Sequence, residues 1–345
     1  MPHVDPMWDR SAAHVRSLPP TIGFSLRSWL RAAIVLAVVL VALVGRGSAG
    51  AANSIPSSGA WWGAYVQARA ALSHYETVRR LERRLHRKLK IDHHYHEWKN
   101  LSLAEEKRDL VRGRIPLVSW PSGAWPAGVD AATINSGSQD RVIRDAADKL
   151  KALGKPVFLR FAFEMDQAKP SPRHIGPPKA FKRAWRHVYE IMRARGATNV
   201  RFVWCAVASN FASGRAQRFY PGDRYVDWIA ADGFSFYPVK LSHTSRWRSF
   251  HAIFASFYHW GAGRPPPLMV AATGVQEDAR RPHRKARWFA HAGDVMHTRM
   301  RQVKAFVYWN ALHPTPNGDA NFRAETSRVS FRAYRRMGHR AYFRP

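Results

Sequence analysis

Eight short apolar or aromatic runs recur along this chain, separated by longer stretches with helical periodicity. The runs are Ala60 to Gln67 (AWWGAYVQ), Leu89 to Trp98 (LKIDHHYHEW), Ile115 to Trp120 (IPLVSW), Pro156 to Glu164 (PVFLRFAFE), Val200 to Ala206 (VRFVWCA), Val226 to Phe234 (VDWIAADGF), Pro267 to Gly274 (PLMVAATG) and Val303 to Asn310 (VKAFVYWN). Between them lie amphipathic segments such as Arg69 to Lys88, Arg141 to Leu153, Phe181 to Arg195 and Lys285 to Arg301. Strands that alternate with helices pair in parallel, since each helix is the crossover that returns the chain to the same end of the sheet. Eight such units predict an α/β protein closed into a (β/α)8 TIM barrel. Gly154-Lys155-Pro156 and Gly196-Ala197-Thr198-Asn199 punctuate it, each ending a helix and opening a strand. An open doubly wound sheet is the alternative, but no GxGxxG follows the first strand and no P-loop occurs. Nucleotide binding is therefore not expected, and no cofactor is called for.

The N-terminal region reads differently. Arg27 and Arg31 precede the apolar run Ala32 to Val44, which small residues follow. That run is shorter than the roughly 20 residues needed to cross a bilayer, but it suits the hydrophobic region of an export signal. Residues 1–51 are thus expected to be a secretory signal with Ala49-Gly50-Ala51 as the cleavage triplet, an uncleaved anchor being the alternative. Residues 52–345 form the barrel, working secreted or at the cell surface.

With Cys205 as the single cysteine, no intrachain disulfide can form, so stability must come from a large core, which 46% hydrophobic content can supply. The 55 lysines and arginines against 24 acidic residues leave a net charge of +31, spread along the whole chain. Such a field attracts nucleic acid, anionic lipid or an acidic wall polymer. No nucleic-acid motif accompanies it, so an acidic cell-wall polymer is the better partner for an exported protein, with membrane contact only if the signal is retained.

In a barrel of this kind the C-terminal ends of the strands form the functional rim. Glu164, near the end of the segment VFLRFAFEMD, falls there, joined by Glu97 and Trp98, Trp120, Asp232, and Trp309 with Asn310. Carboxylates among indole plates suit a polysaccharide, whose C–H faces stack on aromatic rings while its hydroxyls need polar partners. By period two, Arg160 falls on the same side of its strand as Glu164 and so lies inside the barrel. A cation buried there must be paired.

The combination RFAFEMD, FKRAWRHVYEIMRARGATNVRFVWC and YPGDRYVDWIAADGFSFY, with WWGAYV and IDHHYHEW before it and FRAYRRMGHRAYF after it, resembles glycoside hydrolase family 26, a family of β-mannanases and related β-glycanases. The resemblance implies a (β/α)8 barrel and makes Glu164 the general acid/base of a retaining mechanism. Burial among Phe161, Phe163 and Met165 would favour its protonated form. It also exposes departures. Phe163 stands where the family carries a histidine, Phe234 where it carries a tyrosine (Tyr237 lies close behind), and Ala272, in Ala271-Ala272-Thr273-Gly274, where it carries the nucleophilic glutamate. Retention needs two carboxyl groups about 5–5.5 Å apart. Asp232, Glu277 and the adjoining Asp278 are the candidates for the second.

Trp309, Trp120, Trp98, Tyr237 and Arg160 complete the expected substrate side. His94 and His96 share a strand face, and the resemblance makes them substrate-side hydrogen-bonding groups, with no metal. The sequence therefore implies a secreted β-glycan hydrolase of mannanase type with a missing or nonstandard second carboxylate. The alternatives are an inactive carbohydrate-binding barrel and a wall-binding protein held by charge.

Overall fold

The computed structural model describes residues 55–69, 71–121, 128–168, 171–239 and 246–345. The proposed export signal lies outside them, and among the described residues no helix is long and apolar enough to cross a membrane.

Eight parallel strands close into a barrel in sequence order: β1 Trp61–Val66, β2 Ile91–Tyr95, β3 Ile115–Trp120, β4 Val157–Phe161, β5 Val200–Val207, β6 Trp228–Ser235, β7 Leu268–Val275 and β8 Val303–Asn310. Every expected strand is present, and β8 returns to pair with β1 along its whole length, from Trp61↔Ala305 to Val66↔Asn310. The helices that follow the strands are α1 His74–Leu85, α2 Ala104–Val111, α3 Ala131–Asn135, α4 Asp140–Lys151, α5 Pro178–Ala194, α6 Phe250–Gly261, α7 Arg284–Thr298 and α8 Arg328–Gly338.

Local sequence explains their ends and faces. Ser73 caps α1 reciprocally with Glu76, so two otherwise unpaired backbone donors are satisfied. Its buried residues Thr77, Val78, Leu81 and Leu85 recur at helical spacing, as do Phe181, Ala184, Trp185, Val188 and Met192 on α5. Each such aliphatic or phenylalanine side chain contributes about 1.5–3 kcal/mol on burial.

Two apolar layers result. The larger lies between strands and helices and includes Trp62, Trp98, Trp120, Phe161, Trp185 and Trp204. The smaller fills the barrel, where Trp61 stacks on Trp228 at 6.1 Å and Phe158 meets Trp228 edge-on at 5.3 Å. These three belong to the first two residues of β1, β4 and β6, so they form a floor near the N-terminal end. Chemistry is left to the layers above it.

Candidate functional site at the barrel mouth

Directly above the aromatic floor the barrel turns polar. Arg160 of β4 is fully buried and donates to Asp232 Oδ2 at 2.5 Å, to Ser119 Oγ at 2.7 Å and to the Tyr95 hydroxyl at 3.3 Å. The other oxygen of Asp232 accepts from the Cys205 thiol at 3.2 Å. His93 Nε2 lies 2.7 Å from Ser119 Oγ, and burial together with the Arg160 charge holds its imidazole neutral, well below the ordinary histidine range. Arg160 is thus inside the barrel and paired, as period two required. Burial and the neighbouring Asp232 charge push the Cys205 thiol up, so it is not a nucleophile.

Glu164 sits above this layer by an unusual backbone route. The strand stops at Phe161, three residues short of the expected end, and Ala162 (φ 48°) and Glu164 (φ 56°) both take left-handed conformations. For side-chain-bearing residues such conformations cost roughly 1–3 kcal/mol each. Hydrogen bonds hold the turn on both sides: Ala162 N–H donates to Trp120 O at 2.9 Å and Glu164 N–H to Cys205 O at 2.8 Å. The carboxyl Oε2 accepts from Arg173 at 2.5 Å and from Gln167 at 2.6 Å. Burial raises the Glu164 pKa above its ordinary value. Arg173 opposes the rise, and the negative charge of Asp232 reinforces it. Phe163 lies between two guanidiniums, 4.3 Å from Arg160 and 5.1 Å from Arg173. A neutral ring there is attracted by both cations through its face, whereas a protonated histidine would be repelled.

Between β6 and β7 the register jumps from Ala231↔Val270 to Asp232↔Ala272, which leaves Ala271 as an extra residue. Such bulges re-aim side chains. Paired residues of a parallel ladder face the same side, so the Ala272 methyl shares the inner face with Asp232.

The rim is aromatic. Trp309 stacks on its cross-strand partner Tyr65 at 5.5 Å and 20°. Phe234 meets Trp309 edge-on at 6.0 Å, and His313 lies 5.7 Å from the same indole. Tyr65, Phe234, Trp309 and His313 are all partly exposed. Tyr237 follows β6, with Arg284 5.7 Å from its ring. Burial lowers the His313 pKa, helped by Arg173 and opposed by Glu164.

Several expected site residues belong elsewhere. Trp98 and Trp120 are not platforms: they stack on each other at 4.1 Å and 11°, are both buried, and pack outside the barrel with Phe161. His94 and His96 are not substrate-side groups either. His94 Nε2 contacts Asp109 Oδ2 of α2 at 2.6 Å, and His96 Nε2 contacts Glu106 Oε1 at 2.5 Å, so both turn to the helix layer. Glu277 accepts from the hydroxyls of Thr326, Ser327 and Ser330 at the start of α8, and Asp278 pairs with Arg284 at 2.8 Å. Neither takes part in the Glu164 cluster. Of the three second-carboxylate candidates, only Asp232 does.

Residues 127–265, which carry both Glu164 and Asp232, match the family model for glycosyl hydrolase family 26. Among curated proteins the chain is 29% identical to Endoglucanase H of Acetivibrio thermocellus over 86% of its own length and 32% of that protein's. It is 31% identical to the β-1,3-xylanase TXYA of a Vibrio species over 39% of its length and 31% of that protein's. The chain thus spans about a third of the length of these relatives. Among solved structures, a GH26 β-mannanase from Bacteroides ovatus superposes with a TM-score of 0.57 at 13% identity, covering 83% of this chain and 90% of that one. GH26C from a Muricauda species gives 0.61 at 10% identity, with 83% and 86% covered. The structural likeness establishes the barrel, and the family model and curated matches make the chain similar to family 26 glycosyl hydrolases.

Proposed function

We propose that this protein holds a β-linked polysaccharide at the mouth of its barrel and does not turn it over by the retaining route. Relatives named for endoglucanase and β-1,3-xylanase activity support a β-glycan as ligand. So does the partly exposed rim of Tyr65, Phe234 and Trp309, whose rings can stack on sugar faces.

The observation that carries the second half is the pairing of Asp232 with Ala272 across the β7 bulge. By resemblance to family 26, Ala272 occupies the nucleophile's position and Glu164 that of the acid/base. A methyl group cannot form a glycosyl-enzyme bond. Asp232 is a poor substitute: Arg160 and the Cys205 thiol engage its two oxygens, so neither is free to attack an anomeric carbon. Glu164 is itself engaged by Arg173, so a proton donor would have to break an ion pair before acting.

Purified protein run through gels containing mannan, xylan or mixed-linkage glucan tests this reading. Retardation by one of them without release of reducing ends is expected; turnover of the retarding glycan would overturn it. If the export reading is correct, the +31 charge adds an attraction for acidic wall material. Unlike stacking on the rim, that attraction fades at moderate salt.

A further inference from the structure

β2 has two polar faces, and only the inner one belongs to the mouth. Outside the barrel, Asp92 and His94 of β2 meet His74, the first residue of α1, and Asp109 of α2. Asp92 Oδ1 lies 3.0 Å from His74 Nε2. Its Oδ2 has no hydrogen-bond partner, is fully buried and lies 3.9 Å from His94 Nε2. One donor atom from each of His74, Asp92 and His94 falls within 4.8 Å of the others. A fourth oxygen is beside them: Asp109 Oδ2, 2.6 Å from His94 Nε2, on a carboxylate whose other oxygen accepts from Arg114 at 2.8 Å.

Hydrogen bonding alone leaves this cluster incomplete, since a buried carboxylate oxygen without a partner costs roughly 1–3 kcal/mol or more. A small divalent ion would complete it. Zinc binds imidazole nitrogen and carboxylate oxygen at about 2.0–2.2 Å in a tetrahedron, which puts neighbouring donors about 3.4 Å apart. Those separations, 3.0 Å at Asp92 Oδ1 and 3.9 Å at Oδ2, lie on either side of that value, and one donor atom per residue stays within 4.8 Å of the others, so side-chain shifts on the order of 1 Å would close the set. Ligand imidazoles usually have a carboxylate behind the free ring nitrogen. Behind His94, Glu106 Oε1 stands 3.8 Å from Nδ1, beyond hydrogen-bond reach, so it adds negative charge there without fixing the ring. Only His74 is appreciably exposed, at 17% of its side chain, and it offers the way in.

We propose that His74, Asp92 and His94, with Asp109 as fourth ligand, form a structural site for a divalent transition-metal ion of the zinc class. The ion would tie the start of α1 and the last turn of α2 to the back of β2. It would neutralise two buried carboxylates and brace the strand whose inner face carries His93 and Tyr95. This site is independent of what the mouth binds.

The test uses the full chain, stripped with a chelator, dialysed, and titrated with Zn2+ against a chromogenic competitor, with thermal unfolding followed in parallel. The expected result is one tightly held ion per chain and a raised Tm. His74→Ala, at the most exposed ligand, should keep the fold, weaken the ion at least tenfold and abolish the Tm gain, and Asp92→Asn should weaken it as well. His187→Ala, which removes a surface imidazole paired with Asp140 at 2.7 Å, should change neither. Failure of the stripped chain to retain zinc, or equal retention by wild type and His74→Ala, would overturn the site.

Discussion

Replacing Arg160 by methionine removes the centre of the polar layer, and the structure sets the size of the effect. The guanidinium is fully buried and is the cation paired with Asp232, whose side chain is itself only 3% exposed. Methionine keeps much of the volume but leaves a buried carboxylate beside Glu164 without its counter-charge. Breaking one side of a buried ion pair costs about 3–5 kcal/mol. At about 2–4 °C per kcal/mol, the Tm should fall by roughly 6–20 °C. A double-mutant cycle separates the pair from the packing. Asp232→Leu alone strands the arginine and is also costly, whereas Arg160→Met with Asp232→Leu removes both charges, and apolar replacements of a whole buried pair are often near neutral. Denaturant unfolding of the four proteins should show the double variant recovering about 1.5–3 kcal/mol relative to the sum of the singles. A loss below about 1 kcal/mol for Arg160→Met, or simple additivity, would refute the claim that this pair organises the barrel interior.

Trp120→Ala, which opens the stacked Trp98–Trp120 core, should cost about 3–5 kcal/mol and leave glycan retardation of the folded fraction unchanged. Trp309→Ala at the half-exposed rim should do the reverse, abolishing retardation with little change in Tm. Glu164→Gln should raise the Tm at neutral pH. Because burial lifts the Glu164 pKa in the folded state, the unfolded chain loses this proton first. Stability from this group is full below the ordinary value of 4.5 and falls as pH climbs through the folded value. The advantage of the Glu164→Gln variant over wild type in melts across pH should therefore vanish in acid; a constant difference would count against the raised pKa.

Strand and helix order was readable from the sequence because the crossover helices have clear apolar stripes and glycine or proline stops. The direction in which strand residues point was less so. A parallel sheet covered by helices is buried on both faces, so its strands are apolar throughout and period two has no polar face to anchor it. Arg160 gave such an anchor on β4, and its inward side follows correctly. On β3 its register partner Ser119 faces inward with it, which turns Trp120 outward. On β2, His93 and Tyr95 face inward and His94 outward. No arginine marks β2 or β3, so period two does not disclose that Trp98, Trp120, His94 and His96 turn to the helix layer. Arg173 and Gln167, which hold Glu164, come from the loop after β4, and His313 from the chain after β8; spacing along the sequence does not disclose such approaches. Tyr65 is absent from the expected site, although its place two residues after Gly63 and four after Trp61 on β1 is a signal that could find it. The bulge at Ala271, which aligns Ala272 with Asp232, has no sequence signature here beyond three small residues in a row.

Under the proposed function, the carboxylate lacking at position 272 separates this barrel from a retaining hydrolase. An activated aryl β-glycoside of the retarding glycan, offered to wild type and to Ala272→Glu with and without azide, puts this to the test. Wild type should release no phenol alone, and with azide should yield the α-glycosyl azide, the external anion attacking where the methyl leaves room and displacing aryloxide with inversion. Ala272→Glu should release phenol without azide and give a sugar of retained configuration. Phenol release by wild type at a rate indifferent to azide would overturn the proposed function, because it would mean that a carboxylate already present completes the pair.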